Sequence, residues 1–246
     1  MEELYEQLLQ DMELALNELA SKVPPPQPVP FATSFVYRHV ERMPHQAIVQ
    51  KLARMITGLR AALLLVTHGL LQEQGVMHRI LDDLREDVMF LSYGILRGES
   101  NKHKAFLKDF FQEEFDNPSD PLGSTQSRRI VPRKKIQAYL ARVEAISENS
   151  SQDQEISRTL SAAYSGFVHG ASPQIMEMYG GIPPRFHVRG MLDTPIGQSH
   201  YKSNWNYFDR GIATFAIAAA AFGNQELVER LKSQKRNFEL QTGRDH

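Results

Sequence analysis

Apolar residues recur every three or four positions along most of this chain, the spacing of one face of an α-helix. The longest such stripe is Ile48, Leu52, Met55, Leu59, Leu63, Val66 and Leu70. It predicts a helix from about His45 to Gln74. Its middle, AALLLV, is apolar nearly all round, so the helix should lie centrally. Gly75 interrupts the pattern. Ile80, Leu84, Val88, Leu91 and Ile95 then give the core face of a second helix, about Val76 to Leu96. So short a connection between two long helices predicts an antiparallel hairpin. Shorter helices follow from the same spacing. Leu4, Leu8, Met12, Ala15 and Leu19 mark one over residues 2–22, and Phe106, Phe110 and Phe111 mark one over about 102–115. Another starts after Pro132. A further one carries Ile156, Leu160, Ala163, Tyr164 and Phe167, and the last two cover about 204–221 and 225–240. Alternation of apolar and polar residues never lasts beyond a few positions, with Phe186 to Val188 as a short extended candidate. The expected fold class is therefore all-α: a multi-helix bundle of seven or eight helices built on the central hairpin.

The breaks in the pattern suggest the organisation. Pro24, Pro25, Pro26, Pro28 and Pro30 end the first helix and predict an extended, polyproline-like spacer. Residues 1–22 then read as an N-terminal helical arm, 23–33 as a proline-rich linker, and 34–246 as one all-α domain. A short helix is expected within Phe31 to Met43. Residues 116–131 and ENSSQD are loops by composition, with Ser150 or Ser151 available as a helix cap. Residues 181–203 hold three prolines and three glycines and show no helical period, and loops of this length inside a domain usually have a function.

Composition removes several functions. The 246 residues are enough for a sizeable core, and 41% apolar with 23% charged residues is ordinary for a soluble protein. A net charge of -1 gives no overall field for nucleic acid or anionic membrane. With no cysteine there is no disulfide, thiolate nucleophile or Cys-based metal site. The acidic, amphipathic start is unlike a secretory signal, and no apolar run approaches the length of a membrane span. A cytoplasmic protein with no membrane contact is expected.

Three constellations could carry chemistry. On the second long helix, His78, Asp82 and Glu86 fall four apart, with Asp83 and Asp87 beside them. Bundle metal sites use such rows, but they usually pair Glu-x-x-His motifs, which this chain lacks, and the interleaved Arg79 and Arg85 suit ion pairs instead. Arg97 to His103 and Arg38 to His45 have the spacing of helical-bundle ribonucleases, at a frequency chance supplies. The third group is Tyr164, His169, Arg185, His187 and Arg189. If locally extended, the last three project to one side. Two guanidinium groups around an imidazole suit a phosphate or other anion, with His169 as a partly buried acid or base. The alternative is that His169 satisfies a buried carbonyl while the arginines fasten the loop. The basic cluster Arg128, Arg129, Arg133, Lys134 and Lys135 is read as a solvated patch or an anion contact, and His68 as a partly buried structural histidine. No phosphate-binding glycine loop, nucleophile elbow, HExxH or cofactor signature appears.

With YSGFVHG at 164–170, the long apolar helix and the Arg79 to Glu86 block, residues 46–222 resemble an uncharacterised bacterial all-helical domain family of unknown function with HEPN-like organisation. The resemblance implies a helical bundle, a homodimer, and a nucleotide-related or defence setting, but no particular activity. The expected function is binding of an anionic ligand, a nucleotide or RNA phosphate, near His169 and the 181–203 loop. The alternatives are a HEPN-like ribonuclease or other hydrolase, and a bundle metal protein.

Overall fold

The two long stripes do form a helical hairpin. In the computed structural model, which describes residues 1–31, 33–117, 119–127, 130–144, 159, 163–192 and 194–244, α2 runs Pro44–Thr67 and α3 runs Leu71–Arg97. They are flanked by α1 (Glu2–Ala20), a β-hairpin of β1 (Gln27–Phe31) and β2 (Ser34–Arg38), and α4 (Asn101–Phe110). A 3-10 turn (Pro121–Gly123), α5 (Arg133–Glu144), α6 (residues 163–168) and α7 (Ser172–Met176) follow. The pair β3 (Tyr179–Gly180) and β4 (Arg185–Phe186) then leads into α8 (Pro195–Ala221) and α9 (Gln225–Gln241). Among the described residues the architecture is a helical bundle with two small antiparallel sheets. No helix there is long and apolar enough to cross a membrane.

The turn between α2 and α3 falls earlier than the expected break at Gly75. Gly69, with a φ of +71°, ends α2, in the left-handed conformation that glycine adopts without penalty. Gly75 lies inside α3, where a Cβ would stand 2.5 Å from the Phe167 ring. It is there for close approach of α6, not to break a helix. The expected α3 face holds at Val88 and Leu91, which are buried, but the core side is wider than the apolar stripe. Ile80, Leu84 and Ile95 are only half-buried, while His78, Asp82, Glu86 and Asp87 are buried.

The N-terminal segment packs on its own body. Tyr5, Leu8, Leu9, Met12, Ala15 and Leu19 are buried in the same core as Leu52 and Leu59 of α2 and Phe208 and Phe215 of α8. The prolines that suggested a stiff spacer lie in and before β1, which pairs with β2 where a short helix was expected. α8 begins nine residues before the expected start at 204. Thr194 caps it by accepting from the Gly197 N–H at 3.0 Å, and Pro195 occupies its first turn. The second half of the long loop is thus helix. Arg128, Arg129, Ser150, Ser151, Ile156 and Leu160 lie outside the described residues.

Candidate functional site

The members of the loop group differ in their surroundings. Tyr164 turns into the bundle, edge-on to the His78 ring at 5.2 Å, and burial raises its hydroxyl pKa. His169, just past α6, is exposed rather than partly buried. Arg185 and Arg189 are exposed as well. The His187 backbone N–H donates to the Met178 carbonyl at 2.8 Å, and its Nε2 lies 3.1 Å from the Gly180 carbonyl. His187 therefore closes the β3–β4 turn. Among the described residues, no hydrogen bond or ion pair joins His169, Arg185, His187 and Arg189 to one another. His68 is exposed too, with Nδ1 2.8 Å from the Leu64 carbonyl.

The α3 row is an ion-pair belt. Asp82 meets Arg210 of α8 at 2.7 Å, and Asp87 meets Lys51 of α2 at 2.7 Å and Arg133 of α5 at 2.6 Å. Gln137 donates to Glu86 at 3.0 Å. Burial raises the carboxyl pKa of both Asp82 and Glu86, and Arg210 and Gln137 each offset part of the rise. With a guanidinium, ammonium or amide already on each carboxylate, the row ties α3 to three helices. Among the described residues, no group of three or more His, Asp and Glu has the arrangement of a metal site. Of the cations read as a basic patch, Arg133 is taken up here, while Lys134 and Lys135 face solvent.

The two ribonuclease spacings do not assemble a pair. His103 is buried, stacked on Phe90 at 4.0 Å, with Nε2 3.1 Å from the Phe90 carbonyl. Arg97 instead donates to the Val143 carbonyl at 3.0 Å. His45 packs edge-on against Phe222 at 4.6 Å, and Arg38 makes a bidentate pair with Glu113 at 2.6 and 3.0 Å.

That Arg38 pair borders a groove of about 490 Å³. It lies at the base of the β-hairpin, where Pro26 precedes β1 and Tyr37 to His39 end β2. The far wall is the end of α4, with Phe110 and Phe111 edge to face at 4.9 Å. Two features there are unspent. The His39 Nδ1 is buried and has no hydrogen-bond partner. Arg42 makes no hydrogen bond or ion pair among the described residues, and its φ of +52° is a left-handed conformation that costs a side-chain-bearing residue free energy. These residues come from three separate segments. Sequence pattern missed the groove because His39 and Arg42 fall on no helical stripe and Phe110 and Phe111 read only as the apolar side of one helix; the Arg38 to His45 spacing touched the region for another reason. No family model, curated protein or solved structure matches the chain.

Proposed function

We propose that this chain binds a small anionic ligand of the nucleotide or phosphate class in the groove at the base of the β-hairpin. The observation that carries this reading is His39, which lines the groove and whose Nδ1 is buried without a partner. A buried polar atom without a partner costs free energy, and a ligand that supplies the partner recovers it. Arg42, which makes no ion pair among the described residues, adds a guanidinium for a phosphate. Phe110 and Phe111 offer apolar ring surface of the kind on which a base or sugar rests. The volume falls in the usual range of small-molecule sites, about 300–1,000 Å³. Glu113 is opposed by Arg38, so the pair adds little net charge. The reading keeps the anionic ligand expected from the sequence and moves it from the 181–203 loop to a place with walls.

Calorimetric titration with inorganic phosphate and with a nucleoside monophosphate tests it. Binding is expected for the wild type, weakened at least tenfold in Arg42→Ala and in His39→Ala. If those variants bind normally and Arg185→Ala or Arg189→Ala does not, the loop carries the site. If the wild type binds neither ligand, the reading fails.

We further propose that the chain is a homodimer. Support comes from the apolar side chains exposed on and beside the hairpin: Phe35, Tyr37, Val40 and Met43 are all more than half exposed. Clustered exposure of this kind marks interaction surfaces.

A further inference from the structure

The hairpin has two edges, and the sequence has closed one of them. β1 and β2 pair in the register Gln27 with Arg38, Pro28 with Tyr37, Val29 with Val36, Pro30 with Phe35, and Phe31 with Ser34. In an antiparallel ladder, hydrogen-bonded and non-hydrogen-bonded pairs alternate. Proline has no N–H, so Pro28 and Pro30 belong to the non-hydrogen-bonded pairs, where the amide position points away from the partner. The bonds then fall on Gln27–Arg38, Val29–Val36 and Phe31–Ser34. On β1 the outward amide positions are both proline, so that edge can donate nothing to another strand. On β2 the outward positions are Phe35 and Tyr37, which keep their N–H groups. Among the described residues, β1 is the only strand beside β2. The Tyr37 carbonyl accepts from its neighbour Arg38 Nη1 at 3.0 Å and retains a second lone pair. An open edge with exposed aromatic side chains is a template for strand addition.

We propose that β2 pairs antiparallel with β2 of a second copy of this chain, making a four-stranded sheet across a two-fold axis at Val36. This rests on the homodimer reading and gives it a surface. The occupant follows from self-complementarity. With Val36 on the axis, Phe35 stands opposite Tyr37 of the second copy and Tyr37 opposite its Phe35, each pair exchanging both backbone bonds. Aromatic pairs directly across strands are among the more favourable. The two rings already sit edge to face within one chain, centroids 5.5 Å apart. On the other face Arg38 lies opposite Ser34 of the second copy, so no like charges meet. Centring the axis on Phe35 or on Tyr37 keeps one aromatic pair instead of two. The same register sets His39 opposite Thr33 of the second copy, so the partner's turn lies at the rim of the groove. A closed four-stranded sheet has proline at both of its outer edges, which stops growth at the dimer.

Sedimentation velocity on the full chain at micromolar concentrations should give a species of twice 28.0 kDa. Tyr37→Pro removes an outward N–H and leaves the β1–β2 bonds in place, so it should sediment as a monomer with unchanged far-UV circular dichroism. The chain has no cysteine, so a single one reports cleanly. At the axis the two Val36 Cα atoms should be about 4.5 Å apart, a non-hydrogen-bonded pair within disulfide reach. Val36→Cys should therefore cross-link under mild oxidation, and Phe35→Cys should not. A wild-type monomer overturns both the pairing and the homodimer. A wild-type dimer that survives Tyr37→Pro, or whose Val36→Cys variant does not cross-link, overturns the β2 pairing alone and leaves the homodimer to another surface. The Val36→Cys result decides the matter if Tyr37→Pro misfolds, and the phosphate titration of the wild type remains a separate test of the groove.

Discussion

His78 is fully buried between α3 and α8, its ring stacked on Tyr207 with centroids 3.8 Å apart. Its surroundings fix the tautomer. The Gln74 Oε1 accepts from His200 Nδ1 at 3.0 Å, which leaves the Gln74 amide to donate to Asn204 Oδ1 at 2.8 Å. The Asn204 oxygen therefore faces His78 too, and His78 Nε2 donates to it at 3.1 Å. Nδ1 is left buried and bare. Burial pushes the imidazole pKa from 6.5 down to about 3. Between those values the unfolded chain binds the proton and the folded chain does not. Stability from this group is thus complete above pH 6.5 and falls as the pH drops towards 3, by at most about 1.4 kcal/mol per pH unit. His200 and His103, also lowered by burial, act in the same direction. Asp82 and Glu86, raised by burial, act oppositely, losing stability as the pH rises through their folded pKa values. The His78 contribution is isolated by difference. His78→Gln keeps a donor for Asn204 and cannot titrate, so its Tm should fall less steeply than that of the wild type from pH 6.5 to 4.5. Parallel Tm curves would mean that His78 is charged when folded.

At the scale of elements, two glycines decide how the 181–192 segment sits on the bundle. Gly69 follows α2 and Gly190 precedes α8, and their backbones meet directly. The Met191 N–H donates to the Gly69 carbonyl at 2.9 Å. A Cβ on Gly69 would lie 2.4 Å from the Met191 nitrogen, and one on Gly190 would lie 2.4 Å from the His68 carbonyl oxygen. Both glycines also have positive φ, +71° and +113°. Gly69→Ala and Gly190→Ala should therefore each cost more than about 1 kcal/mol, the left-handed penalty alone, because the backbones must also separate and uncover Met191. Urea unfolding measures the cost, and a change within error would show that the segment docks elsewhere. None of this contact was legible in the sequence, where Gly69 fell inside the helix expected to run to Gln74 and Gly190 was one of three glycines in the 181–203 loop. What was legible is periodic: α1, α2, α8 and α9 have apolar faces made by their own residues, and their cores formed as expected. α3 shows where periodicity stops. Its buried row is charged, and Asp82, Glu86 and Asp87 are tolerated inside only because Arg210, Gln137, Lys51 and Arg133 reach them from three other helices. β1 shows a second limit. A proline at every other position looks like a spacer unless the pairing partner is known. The groove is a third, since His39, Arg42 and Phe110 meet only after folding.

For the molecule as a whole, the question is whether α1 is an arm or a wall. It buries Tyr5, Leu8, Leu9, Met12 and Leu19 to 4% exposure or less, against α2 and α8. Tyr5 lies 4.4 Å from Phe208 and 6.1 Å from Phe238, so it sits where α1, α8 and α9 converge. Each such side chain contributes about 1.5–3 kcal/mol on burial. Five of them together rival the whole net stability of a domain, about 5–15 kcal/mol. The polar ties are minor beside this. Arg60 meets Glu6 at 2.9 Å and Arg230 meets Glu18 at 2.5 Å, but both pairs are largely exposed, and such pairs contribute about 0–1 kcal/mol. The two kinds of contact predict different responses. Glu18→Ala should shift the urea midpoint slightly. Leu9→Ala should cost about 2–5 kcal/mol. Removal of residues 1–22 should leave a chain with helical content but no cooperative unfolding transition, because it exposes the α2 and α8 faces that α1 covers. A cooperative transition retained in the shortened chain would make α1 an appendage. On the packing observed it is a wall of the core, and the strands that follow it then leave the body as a hairpin instead of a tether.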